Sequence, residues 1–396
     1  MKIAGIIAEF NPFHNGHVVP IEAARATVGT EGAVVCVMSG NCVQRGDLAV
    51  FHKSARAHAA VAAGADLVVE LPAPYVLGSA EPFARGGVAL LSAIGASELV
   101  FGCETASRDA LAYVAEALDT PEVQNTIRAK MTEGLPYGAA CQSALNECEV
   151  VGNVLRSPNN LLGIEYIRAI RYSGVDMRPL PVHRQGVGHH SSTPAEGYAS
   201  ATYLRNLLFD GTEPWDYMPD AAAGIFRREQ QMGRGPAGAA RIEAVMLALL
   251  RLQAPPATGY LDDSEGLSTR IRNAASRAGS LAELWEGAKT KRYHLSRIRR
   301  LTLSMCLGLT PSDRPAMPPY IRPLATNETG RGLLRRLTKV TTTPIISRAG
   351  DAKTLGTAAA RMIEIEAAVT DLQALCFQET ALRRGGSEWK IVPNLT

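Results

Sequence analysis

The sequence predicts an α/β fold, with a parallel sheet in the first half and a mostly helical second half. Three observations predict it. Ile3–Ala8 (IAGIIA) is an unbroken apolar run of strand length, the pattern of a central parallel strand covered on both faces. Short apolar runs then alternate with helical patterns of about ten or more residues, which is how a parallel sheet is written in sequence. Charge is unevenly divided: residues 1–150 hold 9 Lys/Arg against 16 Asp/Glu, and residues 151–396 hold 32 against 22. The basic half is where a polyanion would bind.

A chain of 396 residues has length for two or three domains and a substantial core. With 46% hydrophobic and 20% charged residues it reads as an ordinary soluble globular protein. The first apolar run is cut short by Glu9 and does not resemble a signal peptide, so none is expected, and no segment approaches the roughly 18 apolar residues of a membrane span. A cytoplasmic location and no membrane partner are expected. The seven cysteines are scattered without C-x-x-C spacing, which argues against a zinc ribbon and a disulfide framework. His183, His189 and His190 cluster in sequence, but no cysteine or paired carboxylate completes a ligand set, so no bound metal is expected.

The first strand runs into Glu9, Phe10, Asn11, Pro12 and Phe13, a turn. His14, Asn15, Gly16 and His17 follow where a helical pattern begins, with apolar Val18, Ile21, Ala24 and Val28 at steps of three and four. Strand, tight turn and helix make a phosphate seat. The helix start supplies unpaired N–H groups and partial positive charge, and Gly16 lets a ligand approach the backbone. His14 and His17 share one face of the first turn, placed to donate hydrogen bonds to phosphate oxygens as charge builds up.

Ala33 to Met38 is a second strand. Gln44, Arg45, Asp47 and Lys53 follow in the loop beyond it, at the carboxyl edge where open α/β sheets place ligands. Lys53 and Arg56 stand where they would neutralise phosphate, or simply open a solvated helix from about Ser54 to Ala63. A third strand spans Leu67 to Glu70, a helix Ala80 to Ile94, and a fourth strand Glu98 to Phe101. Gly102 at its end serves the turn, or leaves room for a base or ribose.

Residues 107–150 read as a helical insertion: Ala110 to Leu118, Val123 to Thr132 and Tyr137 to Asn146. In Ser157 to Ile170, Ser157 or Asn159 caps a helix with an apolar face of Leu162, Ile164, Ile167 and Ile170. Asn159 and Asn160 suit a cap, and an asparagine amide equally offers one donor and one acceptor to an adenine edge. A fifth strand, Met177 to Val182, meets a basic turn at His183, Arg184, Gln185 and Gly186. Ser200 then caps a helix carrying Thr202 and Arg205, a second anion seat. The first domain is expected to close near residue 210.

Helical patterns fill the remainder, including Ala239 to Leu252 and Leu267 to Ala278, with no internal repeat. Lys289 to Arg300 (KTKRYHLSRIRR) carries six Lys/Arg, one aromatic and no acid. It reads as a basic helix that is solvated, or that tracks an RNA backbone and stacks a base on Tyr293. Tyr320 to Ala325 is strand-like, Gly330 to Val340 another basic helix, Pro344 to Ile346 a short strand, and Thr354 to Leu375 a long helix.

The H-x-G-H at residues 14–17 resembles the signature of the nucleotidylyltransferase superfamily, whose members bind ATP at this turn. The stretches GIIAEFNPFHNGH, SGNCVQRGDLAVFHK, GADLVVELP, ELVFGCE, SPNNLLGIEYIRAI, SATYLR, KTKRYHLSRIRR and YIRPLATNETGRGLL together resemble one family, the bacterial tRNA(Met) cytidine acetate ligases. The resemblance implies a Rossmann-like nucleotidylyltransferase domain at residues 1–210, holding the insertion, and a mostly α-helical tRNA-binding domain at residues 211–396. It implies that ATP, with Mg²⁺, and acetate give acetyl-adenylate and pyrophosphate. The acetyl group then passes to the wobble cytidine of elongator tRNA(Met), giving N(4)-acetylcytidine.

On the same resemblance, His14 and His17 are the catalytic pair that supports the α-phosphate. The ATP-binding turn maps onto Ile7, Ala8, Glu9, Phe10, Asn11, Pro12, Phe13, His14, Asn15, Gly16, His17, Val18, Val19 and Pro20. Further ATP contacts map onto Gly102, Asn159 or Asn160, His183, Arg184, Ser200 and Thr202, with pyrophosphate leaving toward Lys53 or Ser200. RNA contacts are expected, from the uncompensated charge of the basic stretch, at Lys289, Lys291, Arg292, Arg297, Arg299 and Arg300. The chain departs from the family pattern at His52, where an aspartate is expected, and at Cys42, where a phenylalanine is. Two alternatives remain: a small-molecule adenylyl- or cytidylyltransferase, and a non-catalytic RNA-binding factor. Oligomeric state is left open.

Overall fold

The computed structural model describes residues 1–135, 137–145, 154–155, 157–184 and 197–395. Among these, strands β1 (Ile3–Ala8), β2 (Ala33–Ser39), β3 (Leu67–Leu71), β4 (Glu98–Cys103), β5 (Arg178–His183), β6 (Pro323–Thr326) and β7 (Asn394–Leu395) form one sheet. Its spatial order is β5-β4-β1-β2-β3-β6-β7. The first five strands are parallel, with β1 and β2 in register from Ile3↔Ala33 to Ala8↔Met38. β6 lies antiparallel to β3, and β7 parallel to β6.

From β1 the chain steps outward through β2 and β3, then returns to the opposite side of β1 for β4 and β5. Loops leaving β1 and β4 therefore diverge and open a crevice beyond their carboxyl ends, the usual ligand position in such sheets. Both faces of β1 are covered, as its unbroken apolar run requires. Ile3 and Ile7 belong to the core that includes Val88 and Leu91 of helix α3, while Ala4 and Ile6 belong to the core that includes Ile21 and Ala24 of helix α1. Burying each such large aliphatic side chain stabilises the fold by about 1.5–3 kcal/mol.

The helices are α1 (Val18–Val28), α2 (Lys53–Ala62), α3 (Ala80–Ile94), α4 (Arg108–Asp119), α5 (Pro121–Thr132), α6 (Tyr137–Ala144), α7 (Pro158–Ser173) and α8 (Ala201–Phe209). They continue with α9 (Asp220–Gln231), α10 (Glu243–Leu252), α11 (Leu267–Ala275), α12 (Leu281–Ala288), α13 (Leu295–Cys306), α14 (Glu328–Val340) and α15 (Thr357–Ala374). Helices α4 to α6 lie within residues 107–150, where the insertion is expected, and α7 follows it before β5; Asn146, the anticipated end of the last insertion helix, lies outside the described residues.

Three expectations need correction. The sheet does not stop near residue 210: β6 and β7 come from the second half and extend it beyond β3. The basic stretch is not one helix, because α12 ends at Ala288 and α13 begins only at Leu295 with His294 at its N-cap. Ile345 makes a single bridge to Ile321 rather than a strand.

Lys53 and Arg56 are also not phosphate ligands. Both are fully buried. Lys53 Nζ lies 2.5 Å from Glu70 Oε1 and 2.6 Å from Glu388 Oε1, and Arg322 pairs with the same two carboxylates. Arg56 donates to the carbonyls of Glu9, Ser39, Gly40 and Phe51. Charges removed from water must be paired within the protein, and these are committed to the core rather than to a ligand.

Candidate active site

The turn after β1 is held from three directions. Phe10 takes a left-handed φ of 48° and turns the chain out of the strand. Asn11 Oδ1 accepts from the Val50 N–H at 2.8 Å, and the Asn11 carbonyl accepts from Arg205 Nη1 of α8 at 2.9 Å. Arg56 holds the Glu9 carbonyl, and Asn15 Nδ2 donates to the Gly197 carbonyl at 2.9 Å. The backbone of the turn is thus fixed before any ligand arrives.

His14 and His17 cap each other across a single 3₁₀ turn (Asn15–His17). His14 Nδ1 accepts from the Gly16 N–H at 3.0 Å, and His17 Nδ1 accepts from the His14 N–H at 3.2 Å. The rings lie 3.8 Å apart, inclined by 31°. A nitrogen that accepts a backbone N–H carries no proton, so each ring, when neutral, holds its proton on Nε2. Burial, reinforced by His14 and Arg184, lowers the pKa of His17 well below the ordinary imidazole value. At neutral pH the site presents an uncharged Nε2–H donor at His17. Gly16 has a further role here, since a Cβ there would sit 2.9 Å from the His14 ring.

Next to this pair is a cavity of about 120 Å³, lined by Ile7, Gly16 and Pro20 of the turn region, Gly102 of β4, Asn159 and Tyr166 of α7, and His183 and Arg184 after β5. It occupies the crevice between β1 and β4. Gly102 leaves space that Arg184 partly covers, a Cβ there lying 3.2 Å from Arg184 Cγ. Asn159 Oδ1 accepts from Arg184 Nη1 at 3.3 Å, and its Nδ2 donates to Glu104 Oε1 at 2.5 Å. Asn160 is fully buried instead. Its Oδ1 accepts from the Glu104 and Thr105 N–H groups, and its Nδ2 donates to Thr105 Oγ1 and the Val154 carbonyl. Of the two asparagines, Asn159 faces the cavity and Asn160 builds its wall.

Ser200 caps α8 by accepting from the Tyr203 N–H at 3.1 Å, and Thr202 Oγ1 accepts from Arg205 Nη2 at 2.9 Å. Arg205 and Asn15 tie this helix start to the histidine turn. Gln185, Gly186, His189 and His190 lie outside the described residues. Among the described residues no three His, Cys, Asp or Glu side chains come together to hold a metal.

The six basic residues of 289–300 are not equivalent. Lys289 and Lys291 are exposed. Lys289 pairs with Glu286, Arg292 with Glu265, and Arg297 donates to Ser264 Oγ. Arg299 lies over the Trp285 ring, and Arg300 donates to the Gln44 carbonyl. Tyr293 is buried and its hydroxyl donates to Glu265, so it offers no open face for a base.

The model of the HIGH nucleotidyl transferase family matches residues 1–388. The tRNA(Met) cytidine acetate ligase of Acetivibrio thermocellus is 34% identical, covering 98% of each chain. The chain belongs to this ligase family, within the HIGH nucleotidyl transferases. The tRNA(Met) cytidine acetate ligase of Syntrophomonas wolfei subsp. wolfei is similar too, 35% identical over 99% of each chain. Crystal structures of Thermotoga maritima TmcAL superpose over 100% of both chains, the apo form with a TM-score of 0.92 at 30% identity. The form bound to alpha-thio ATP has a TM-score of 0.89 at 29% identity.

In this nucleotidyl transferase the structure adds residues that sequence reasoning missed. Tyr166 is 2% exposed, lines the cavity, and its hydroxyl has no hydrogen-bond partner among the described residues. Asn159, Leu162 and Tyr166 share one helix face at steps of three and four, so the α7 wall follows once Asn159 is chosen. Glu104, which orients Asn159, had no local signal. His52, the departure from the family pattern, is the N-cap of α2 and accepts from the Ser54 N–H at 3.2 Å. An aspartate would serve the same cap.

Proposed function

We propose that this chain is an ATP-dependent ligase that activates acetate as acetyl-adenylate and acetylates the wobble cytidine of elongator tRNA(Met). The observation that carries the reading is the reciprocal cap of His14 and His17 at the β1–β4 crevice, in a chain of the acetate ligase family. ATP enters the crevice with its adenosine against Gly102, Asn159 and Arg184, and with its α-phosphate beside the histidine pair. A carboxylate oxygen of acetate attacks the α-phosphorus, the bond to the bridging oxygen breaks, and pyrophosphate leaves. Neutral donors suit this step because they strengthen as the phosphoryl oxygens gain charge.

The cytidine N4 then attacks the acetyl carbonyl carbon, the C–O bond to the phosphate breaks, the amine loses a proton and AMP departs. No covalent enzyme intermediate is called for. Burial pushes the Cys103 thiol at the end of β4 up to about 12 and that of Cys42 well above its usual value, which leaves no thiolate nucleophile there. Mg²⁺ would accompany the triphosphate. The described side chains form no ligand set for it, and no step here is routed through it.

The test is label transfer with purified protein, Mg-ATP, radiolabelled acetate and bacterial tRNA. ATP-dependent label in N(4)-acetylcytidine is the expected result. Acetate-dependent ATP cleavage without labelled RNA would keep the adenylation site but refute the acceptor, in favour of a small-molecule transferase.

A further inference from the structure

The hydroxyl of Tyr166 has no part in the reaction described above, yet it stands at the crevice. The side chain is 2% exposed and lines the cavity, and the buried hydroxyl oxygen has no hydrogen-bond partner among the described residues. A buried hydroxyl left unpaired destabilises a fold. Placed at a ligand cavity, it calls for a partner that the protein itself does not supply.

The ring is held in place from the sheet. Phe101 of β4 meets it edge-on, with centroids 5.5 Å apart, and Phe101 is itself pressed onto α7 at Gly163, where a Cβ would lie 2.5 Å from Phe101 Cε2. Side chains on a helix lean toward its N-terminus, and α7 begins at the crevice, with Asn159 of its first turn on the cavity. The phenol of Tyr166 therefore leans toward the crevice. Burial, with the Glu9 carboxylate adding to it, raises its pKa, so the hydroxyl keeps its proton and remains a donor.

The two faces of the sheet say which part of the reaction it meets. Helices α1 and α8, which follow the histidine turn and Ser200, pack on the core that holds Ile21, Ala24, Leu204 and Leu208. Tyr166 belongs with Ile7 and Phe101 to the core of the other face. Both anion seats thus lie on one face. Pyrophosphate leaving toward Ser200 puts the opposite end of an in-line displacement at α-phosphorus on the Tyr166 side. Ile7 and Phe101, which line the cavity with it, offer apolar surface to a methyl group.

We propose that Tyr166 binds acetate, its hydroxyl donating to one carboxylate oxygen while the other oxygen attacks the α-phosphorus; the assignment rests on the function proposed above. The bond from acetate oxygen to phosphorus forms, the bond from phosphorus to the bridging oxygen breaks, and pyrophosphate leaves with the electron pair. Tyr166 keeps its proton throughout. A neutral donor holds the carboxylate without cancelling its charge, and holding it beside the phosphorus offsets part of the entropic cost of attack.

The test is Tyr166→Phe in the full chain, which removes one oxygen atom and keeps the ring. Its melting temperature is expected to equal or exceed that of the wild type, because the lost hydroxyl has no partner to leave behind. In acetate-dependent pyrophosphate exchange, the KM for acetate is expected to rise about ten-fold or more, with the KM for ATP within about twofold of the wild type. Binding of isotope-labelled acetate, followed by NMR relaxation in the presence of α,β-methylene-ATP, reads the same contact without turnover and should weaken by a similar factor. A raised KM for ATP with acetate binding unchanged would give the hydroxyl to the nucleoside and overturn the assignment. Unchanged acetate binding and unchanged KM values in the folded variant would overturn it as well. Wild-type protein that binds acetate beside the analogue but catalyses no exchange would refute the acetyl-adenylate reading and leave the acetate contact standing.

Discussion

Asn159 and Asn160 are adjacent in sequence but do different work, one turned to the cavity and to Arg184, the other sealed in the wall with its amide fully hydrogen-bonded. Asn159→Ala is expected to raise the KM for ATP with the melting temperature nearly unchanged. Asn160→Ala leaves buried backbone groups of Glu104, Thr105 and Val154 unpaired and is expected to cost about 1–3 kcal/mol. Chemical denaturation of both variants, beside their ATP kinetics, checks the division. Equal destabilisation would overturn it.

His17→Ala removes both an Nε2–H donor and the acceptor for the His14 N–H. Acetate-dependent pyrophosphate exchange into ATP is expected to fall about 10²–10³-fold, the cost of losing one transition-state donor. Affinity for tRNA should hardly change. Full exchange activity in the variant would remove His17 from the chemistry.

Burial, aided by Lys53, lowers the pKa of His52 from 6.5 to about 3. The unfolded chain takes up this proton as pH falls below 6.5, while the folded chain refuses it until about 3. Stability contributed by neutral His52 is therefore complete above this window and lost progressively within it as pH falls. His17 is displaced in the same direction, by burial first and then by His14 and Arg184. His52→Asn keeps a capping side chain and is expected to flatten the slope of stability against pH between these limits. Urea titrations at stepped pH values measure it.

Lys53→Met leaves Glu70 and Glu388 without one of their buried cations. The expected loss is about 3–5 kcal/mol in urea denaturation, with the KM for ATP of the remaining folded protein unchanged. A phosphate-binding lysine would give the reverse pattern.

The sequence makes β1, its turn and the histidine spacing legible because each is local: an apolar run, a cap and a helix start. The two asparagines are chemically identical and equally placed, so only contacts with Glu104 and Arg184 separate them. Lys53 and Arg56 leave a phosphate role open because nothing in the local sequence announces their buried partners, which for Lys53 include Glu388, 335 positions away. The strand-like pattern at Tyr320 to Ala325 announces β6 (Pro323–Thr326), but its place beside β3 is a tertiary fact. Tyr293 lost its stacking role to Glu265, 28 positions earlier.

Lys53 and Glu388 are separated by 335 positions, and β7 joins the sheet only through β6. On the ribosome, a nascent chain displaying the whole first half still holds Lys53 and Glu70 without Glu388 and Arg322. Loop closure over that span is slow compared with local helix formation. Maturation of the crevice therefore waits on late-emerging segments, and a prematurely released polypeptide would carry the histidine turn without the buried counter-charges behind it.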